Sequence, residues 1–231
     1  MITEYIRQSL FFFRGHLNVI ARIQLPFLLL INLFGTLSAS DMEPGSPQQQ
    51  QMLAAMAIAN FLLIPLYWGA TIAYLGSVVD NQPLSPLNAL GRALTRWRSL
   101  LLVYMLTGLA AFGGFMLFIV PGIFLLIRLG FADYICVLER QGSMASLRQS
   151  WQQTEDYFWT LLKGLAVLFV ALSGSEILLE LLLDQLFGNS LWTALPLNIL
   201  FGLLHTLLTV YGFRIYCVMR EEQPAPSNPP Q

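Results

Sequence analysis

Among the ionisable residues inside long apolar runs, five stand out: Arg128, Asp133, Glu176, Glu180 and His205. An arginine at mid-bilayer costs about 2.5–3.5 kcal/mol on insertion scales, so it must face protein or water and have a partner. At about 1.5 Å per residue, Arg128 lies about 10 Å from a turn at Pro121, and Glu176 about 12 Å from a turn at Asp184. The depths match, which predicts an Arg128–Glu176 contact, with Glu180 one turn nearer the mouth on the same helix face. By the same count Asp133 is about 18 Å in and His205 about 21 Å in, a second candidate pair. Asn198, Ser173 and Ser175 add polarity nearby. Two kinds of chemistry fit these five binding candidates. One is a hydrated path for an ion, a proton or a lipid headgroup; the other is a set of ion pairs that fix helix order and depth.

Bond-making chemistry has no such support. The two histidines, His16 and His205, are far apart, and no HExxH pattern is present. There is neither a P-loop nor a GxSxG elbow. Glu176 and Glu180 are four residues apart at a helix end, a spacing that fits a solvated rim as well as acid–base work. Cys136 and Cys217 have no CxxC context and read as small apolar packing residues. The sequence therefore predicts no catalytic residue, no metal ligand and no cofactor, and a protein that is not an enzyme.

The elements that hold these residues are set by composition. Of 231 residues, 56% are hydrophobic and 11% charged, against roughly 25% charged in soluble domains. Apolar runs long enough to cross about 30 Å of hydrocarbon occur at about 18–39, 52–79, 99–120, 121–138, 159–184 and 192–219. The expected fold is all-α and polytopic, with six transmembrane helices and three short interfacial amphipathic helices. The interfacial candidates are 2–17, 85–98 and a stretch opening at Ser143, each with apolar residues at helical spacing. Ser85 and Ser143 are candidate caps, and Pro86 suits a first turn. Arg7, Arg92, Trp97, Arg148 and Trp151 are the predicted membrane-interface residues. Pro26 and Pro65 lie inside apolar runs, where they kink or pack. Thr107/Ala111 and Ala110/Gly114 are small pairs that permit close helix contact.

Residues 1–40 read as an uncleaved anchor rather than a signal peptide, because Pro26 interrupts the apolar core and the leader is long. Residues 1–220 form one membrane domain, and the proline-rich 221–231 a disordered cytoplasmic tail. Arg7, Arg14, Arg92, Arg96, Arg98, Arg140, Arg148 and Arg220 all fall on one side of the six crossings, and the opposite loops hold no Lys or Arg. The positive-inside rule then puts both termini in the cytoplasm. The expected partners are a bilayer with anionic headgroups and, on the scaffold reading, another envelope protein. Nothing suggests nucleic acid, and the sequence does not set the oligomeric state. Ile6-Arg7-Gln8-Ser9-Leu10 matches Leu147-Arg148-Gln149-Ser150-Trp151, with Gly91-Arg92-Ala93-Leu94 a looser copy. The pattern suggests one amphipathic helix plus one hairpin, used three times.

The pattern Pro121-Gly122-Ile123, Arg128, Val137-Leu138-Glu139 and Ala145-Ser146-Leu147-Arg148-Gln149-Ser150-Trp151 resembles the membrane domain fused to some bacterial glycerophosphodiester phosphodiesterases. Within that superfamily it is most similar to the stand-alone YciC-type inner-membrane proteins. Similarity extends to Phe11-Phe12-Phe13-Arg14 and to Tyr211-Gly212-Phe213-Arg214-Ile215-Tyr216. The resemblance implies a multi-pass protein of a bacterial inner membrane and carries over no site residue. The His-Arg-Gly signature of the phosphodiesterase itself is not in the chain. The sequence thus predicts a protein that handles lipid or a small solute in the cell envelope, with a non-catalytic scaffold for envelope proteins as the alternative.

Overall fold

The computed structural model describes residues 2–40, 45–188 and 191–222, without the side chains of 36–40 and 191–192. The proposed tail from 223 onward lies outside the described residues. Among those described, nine helices follow one another: α1 Ile2–Ser40, α2 Pro47–Val79, α3 Pro86–Leu117, α4 Ile119–Arg128, α5 Ala132–Leu138, α6 Ser143–Gln153, α7 Phe158–Phe187, α8 Leu191–Leu204 and α9 Thr206–Glu222. They make six stretches long and apolar enough to cross a bilayer: α1, α2, α3, α4 with α5, α7, and α8 with α9. The six expected crossings are all present.

The three separate interfacial helices are not. Residues 2–17 and 85–98 are the first turns of α1 and α3, which run on unbroken for 39 and 32 residues. In a dry layer, backbone groups must be paired, and a continuing helix pairs them internally. No proline or left-handed residue interrupts α1 near Leu17 or α3 near Arg98. Only α6 is a separate short helix of 11 residues, and it packs beside α5 and α3. Its cap is Gly142, not Ser143, which is already helical. The Ser85 hydroxyl does cap α3, accepting from Asn88 N at 3.3 Å, with Pro86 in the first turn.

Turns also fall where the apolar pattern does not show them. The chain reverses at Phe118, in extended conformation at φ −164° and ψ 165°. Pro121 and Gly122 sit inside the first turn of α4, a position proline tolerates because that N–H lacks a helical partner anyway. The hairpin is tight because Gly114 of α3 faces Gly122 of α4. A Cβ on Gly114 would lie 2.8 Å from the Gly122 Cα. Of the small residues that predicted close contact, Gly114 is thus used within the chain. The fourth crossing is broken after Arg128, and the sixth at His205.

The tightest packing lies around α5 and α9. Ile72, Leu75, Phe131, Ile135, Tyr211, Tyr216 and Met219 are fully buried there. Contacts gather the start of α1 and the end of α9 there. Gln8 accepts from Arg214 Nε at 3.0 Å, Glu139 accepts from the Tyr216 hydroxyl at 2.7 Å, and Tyr157 donates to Glu222. At the far ends of α2 and α7 large apolar side chains such as Ile58, Leu181 and Leu186 are exposed, as a lipid-facing surface requires.

Gly114→Ala should lower the thermal midpoint measured by size-exclusion in mild detergent, because overpacking typically costs about 1–3 kcal/mol. Gly113→Ala, with nothing within 4 Å of its added methyl, should leave it unchanged or raise it.

Candidate functional site

Arg128 is the last residue of α4 and is 8% exposed. Its predicted partner Glu176 is not beside it. The guanidinium Nη2 meets Glu155 Oε2 at 3.2 Å. The reason is where α7 begins. Phe158 packs against Phe124, ring centroids 5.3 Å apart, so the start of α7 lies beside Arg128. Glu176 is about 27 Å further along that helix at 1.5 Å per residue.

Three elements build the surroundings of Arg128. α6 returns beside α5 and delivers its last turn to the break after α4. The Ser150 and Thr154 hydroxyls both donate to the Arg128 carbonyl, at 3.0 and 2.9 Å. Ser150 Oγ also accepts from Phe131 N at 3.0 Å. The guanidinium lies 4.7 Å from the Trp151 ring and 5.8 Å from that of Phe124. Because Glu155 is exposed, the ion pair itself contributes little, about 0–1 kcal/mol. The aromatic faces favour the desolvated cation more. Arg128 Nε is buried and has no partner among the described residues. From this arginine a groove of about 650 Å³ runs between α4 and α7, lined by Val120, Ile123, Phe124, Phe158, Trp159 and Leu162. A cation sits at one end of an apolar trough.

The other predicted residues are not brought together. Glu176 is half-buried and Glu180 exposed. Among the described residues neither has a hydrogen-bond or ion-pair partner. Glu180 lines a small cavity of about 190 Å³ with Asp184 and Thr193. Asp133 and His205 do not meet. Asp133 opens α5, where it accepts from Tyr134 N at 2.9 Å and from the Tyr104 hydroxyl at 3.3 Å. An acid in a first helical turn finds free N–H groups there. His205 occupies the α8–α9 break, with Nδ1 2.8 Å from the Phe201 carbonyl and Nε2 3.4 Å from Ser173 Oγ.

Of the interface residues, Arg7 pairs with Glu4 at 2.9 Å. Trp97 instead donates to the Leu62 carbonyl at 2.9 Å, tying α3 to α2. Trp151 belongs to the Arg128 bracket, Arg148 is exposed, and Arg92 lines a separate cavity. Beyond the helices, burial first and then the Glu222 carboxylate hold the Tyr157 phenol above its usual range.

One buried relay has no counterpart in the sequence-based list. Gln24 donates to Thr71 Oγ1 at 3.2 Å and accepts from Thr206 Oγ1 at 2.8 Å, joining α1, α2 and α9. All three are essentially inaccessible. The signal was a lone amide between Ile23 and Leu25, in a run where it must find partners.

Two outcomes follow from this geometry. Glu176→Gln should leave the thermal midpoint in detergent unchanged. Ser150→Ala with Thr154→Val should lower it by the equivalent of about 2 kcal/mol, since a buried carbonyl and a buried N–H lose their partners.

Residues 39–218 match the model of the uncharacterised protein family UPF0259. A UPF0259 membrane protein of Sodalis glossinidius is 33% identical over 180 residues, covering 76% of this chain and 71% of the relative. A UPF0259 membrane protein of Yersinia pestis (strain Pestoides F) is 31% identical over 198 residues, covering 80% and 73%. Neither description names an activity. No solved structure matches the chain. With six apolar spans and a family match over most of its length, the chain belongs to the UPF0259 family of multi-pass membrane proteins.

Proposed function

We propose that this protein is a non-catalytic lipid-handling protein of a bacterial inner membrane, and that the α4–α7 groove holds one anionic lipid. The observation that carries the reading is Arg128. A buried guanidinium with an unpartnered Nε, bracketed by Trp151 and Phe124, closes one end of an apolar groove of about 650 Å³. A phosphodiester headgroup at Arg128 satisfies that nitrogen, and an acyl chain lies along Val120, Ile123 and Leu162. Arginine suits the task because its planar fork matches phosphate oxygens. The resemblance of the segment around Arg128 to domains fused to phosphodiesterases of glycerophospholipid chemistry supports the same reading.

Orientation follows the arginines. The end that holds the start of α1 and the end of α9 carries Arg92, Arg96, Arg140 and Arg220, and the positive-inside rule assigns it to the cytoplasm. A second reading, a scaffold for another envelope protein, is favoured by the tip of the α3–α4 hairpin, where Met116, Phe118 and Val120 are more than 70% exposed.

Native mass spectrometry in mild detergent tests the choice. Wild type should retain one phosphatidylglycerol or cardiolipin per chain. Arg128→Ala should lose it, and Trp159→Ala, at an exposed groove position, should retain at least tenfold less at unchanged thermal midpoint. Wild type that carries no lipid, or a stoichiometric protein partner instead, would overturn the lipid reading.

A further inference from the structure

A second and larger cavity, about 1000 Å³, lies at the end that holds the start of α1 and the end of α9, between α2, α3, α5 and α9. Its floor is apolar and aromatic, with Ala73, Val137, Phe213 and Tyr216. Its rim is not. Arg92 and Arg96 come from α3, Arg140 from the α5–α6 loop and Arg220 from α9, facing only Asp80 and Glu221. Glu221 is already engaged by Arg214 at 3.7 Å. Among the described residues none of the four arginines makes an ion pair or a side-chain hydrogen bond. Arg220 lies over the Tyr216 ring at 5.9 Å.

Arginines that only anchor a helix to headgroups point outward from separate helices. These four converge from three elements on one half-open cleft. Among the described residues, Asn81 and Arg140 are the two non-glycine positions in left-handed conformation, both at φ 56°; each directly follows a helix C-cap, Asp80 of α2 and Glu139 of α5, where a left-handed residue commonly ends a helix.

We infer that this cavity is a binding site for a phosphate-bearing anion. Convergent guanidiniums present paired donors that match phosphoryl oxygens. The excess of arginine over carboxylate calls for a ligand carrying two or more negative charges. The space exceeds a bare phosphate and has an aromatic floor, so the phosphoryl group comes with an organic body. A soluble phosphorylated metabolite and a phosphomonoester lipid headgroup share this chemistry. The site uses no residue of the Arg128 groove and does not depend on it.

The test uses the full chain in detergent, with inorganic pyrophosphate as soluble probe at matched ionic strength, and nanodiscs of phosphatidylcholine with and without phosphatidic acid. Pyrophosphate should raise the thermal midpoint saturably. The apparent Kd should weaken at least tenfold in Arg92→Gln/Arg140→Gln, both exposed positions. It should hold in Arg14→Gln/Arg98→Gln, which removes the same charge away from the cavity. Should the first pair fail to fold, Arg220→Gln alone carries the comparison. Arg128→Ala should keep the response, which separates this site from the groove. If pyrophosphate is inert but phosphatidic acid stabilises wild type and not the Arg92/Arg140 pair, the phosphate comes from lipid. No response to either probe, or equal responses in both variant pairs, would overturn the inference.

Discussion

A helix that stops inside an apolar layer leaves backbone groups with no water to pair them, and this chain stops one after Arg128. The cost is met by two hydroxyls. Ser150 and Thr154 take the Arg128 carbonyl, and Ser150 also receives the Phe131 N–H. These bonds hold α6 against the α4–α5 break, and much of the rest follows. With α6 fixed, Trp151 covers the guanidinium and Glu155 reaches it. The start of α7 is then fixed beside Phe124, which creates the groove. The sixth crossing follows a related logic: His205, at its break, binds the Phe201 carbonyl one turn back.

Buried polar groups elsewhere serve the same end. The Gln24 relay fixes the rotation of three helices at one level. Tyr134 donates to the Thr209 carbonyl at 2.9 Å and Tyr211 to that of Thr160 at 2.8 Å. Each places a phenol against a backbone that glycine lets approach, Gly212 and Gly164 respectively. Because lipid competes with side chains for apolar contact, such bonds and close glycine contacts carry more of the specificity than hydrophobic burial does. The matched pair Ser9 and Ser150 are both buried but differ here: Ser150 donates to the Arg128 carbonyl of another helix, and Ser9 only to the Tyr5 carbonyl one turn back in its own.

The six spans were legible in the sequence because run length and bilayer thickness alone decide them. Ser85 and Pro86 were legible because a cap is a local matter. The turn at Phe118 was not, since Pro121 marks a first helical turn as readily as a reversal, and only the Gly114–Gly122 approach separates the two. The Arg128–Glu176 pairing came from counting depth along straight, uninterrupted helices. That count took the turn at Pro121 and the end of α7 to lie at one level, but the start of α7 packs beside Phe124, which leaves Glu176 far along that helix. The partner, Glu155, lies in the turn between α6 and α7, outside every apolar run. The amphipathic leaders misled for a related reason. An apolar stripe with arginines between describes a flat-lying helix and the wet end of a long spanning helix equally well, and backbone continuity decides between them.

Arginine occurs in two settings here, and the difference is physical. Arg128 is almost wholly removed from water, pressed on aromatic faces and short of one donor partner. Arg92, Arg140 and Arg220 are exposed and line one cleft in which arginines outnumber carboxylates. A desolvated cation binds an anion strongly only if the ligand replaces its lost contacts at close range. Hydrated, mutually repelling cations gain when one multivalent anion bridges them, and that gain is screened by salt. The groove therefore favours a ligand that brings its own apolar body into the bilayer, and the basic cavity one that neutralises several charges at once. Binding at the groove should accordingly depend on chain packing, and binding at the cavity on ionic strength. The two arginine settings thus differ in the property by which anion binding at each can be recognised.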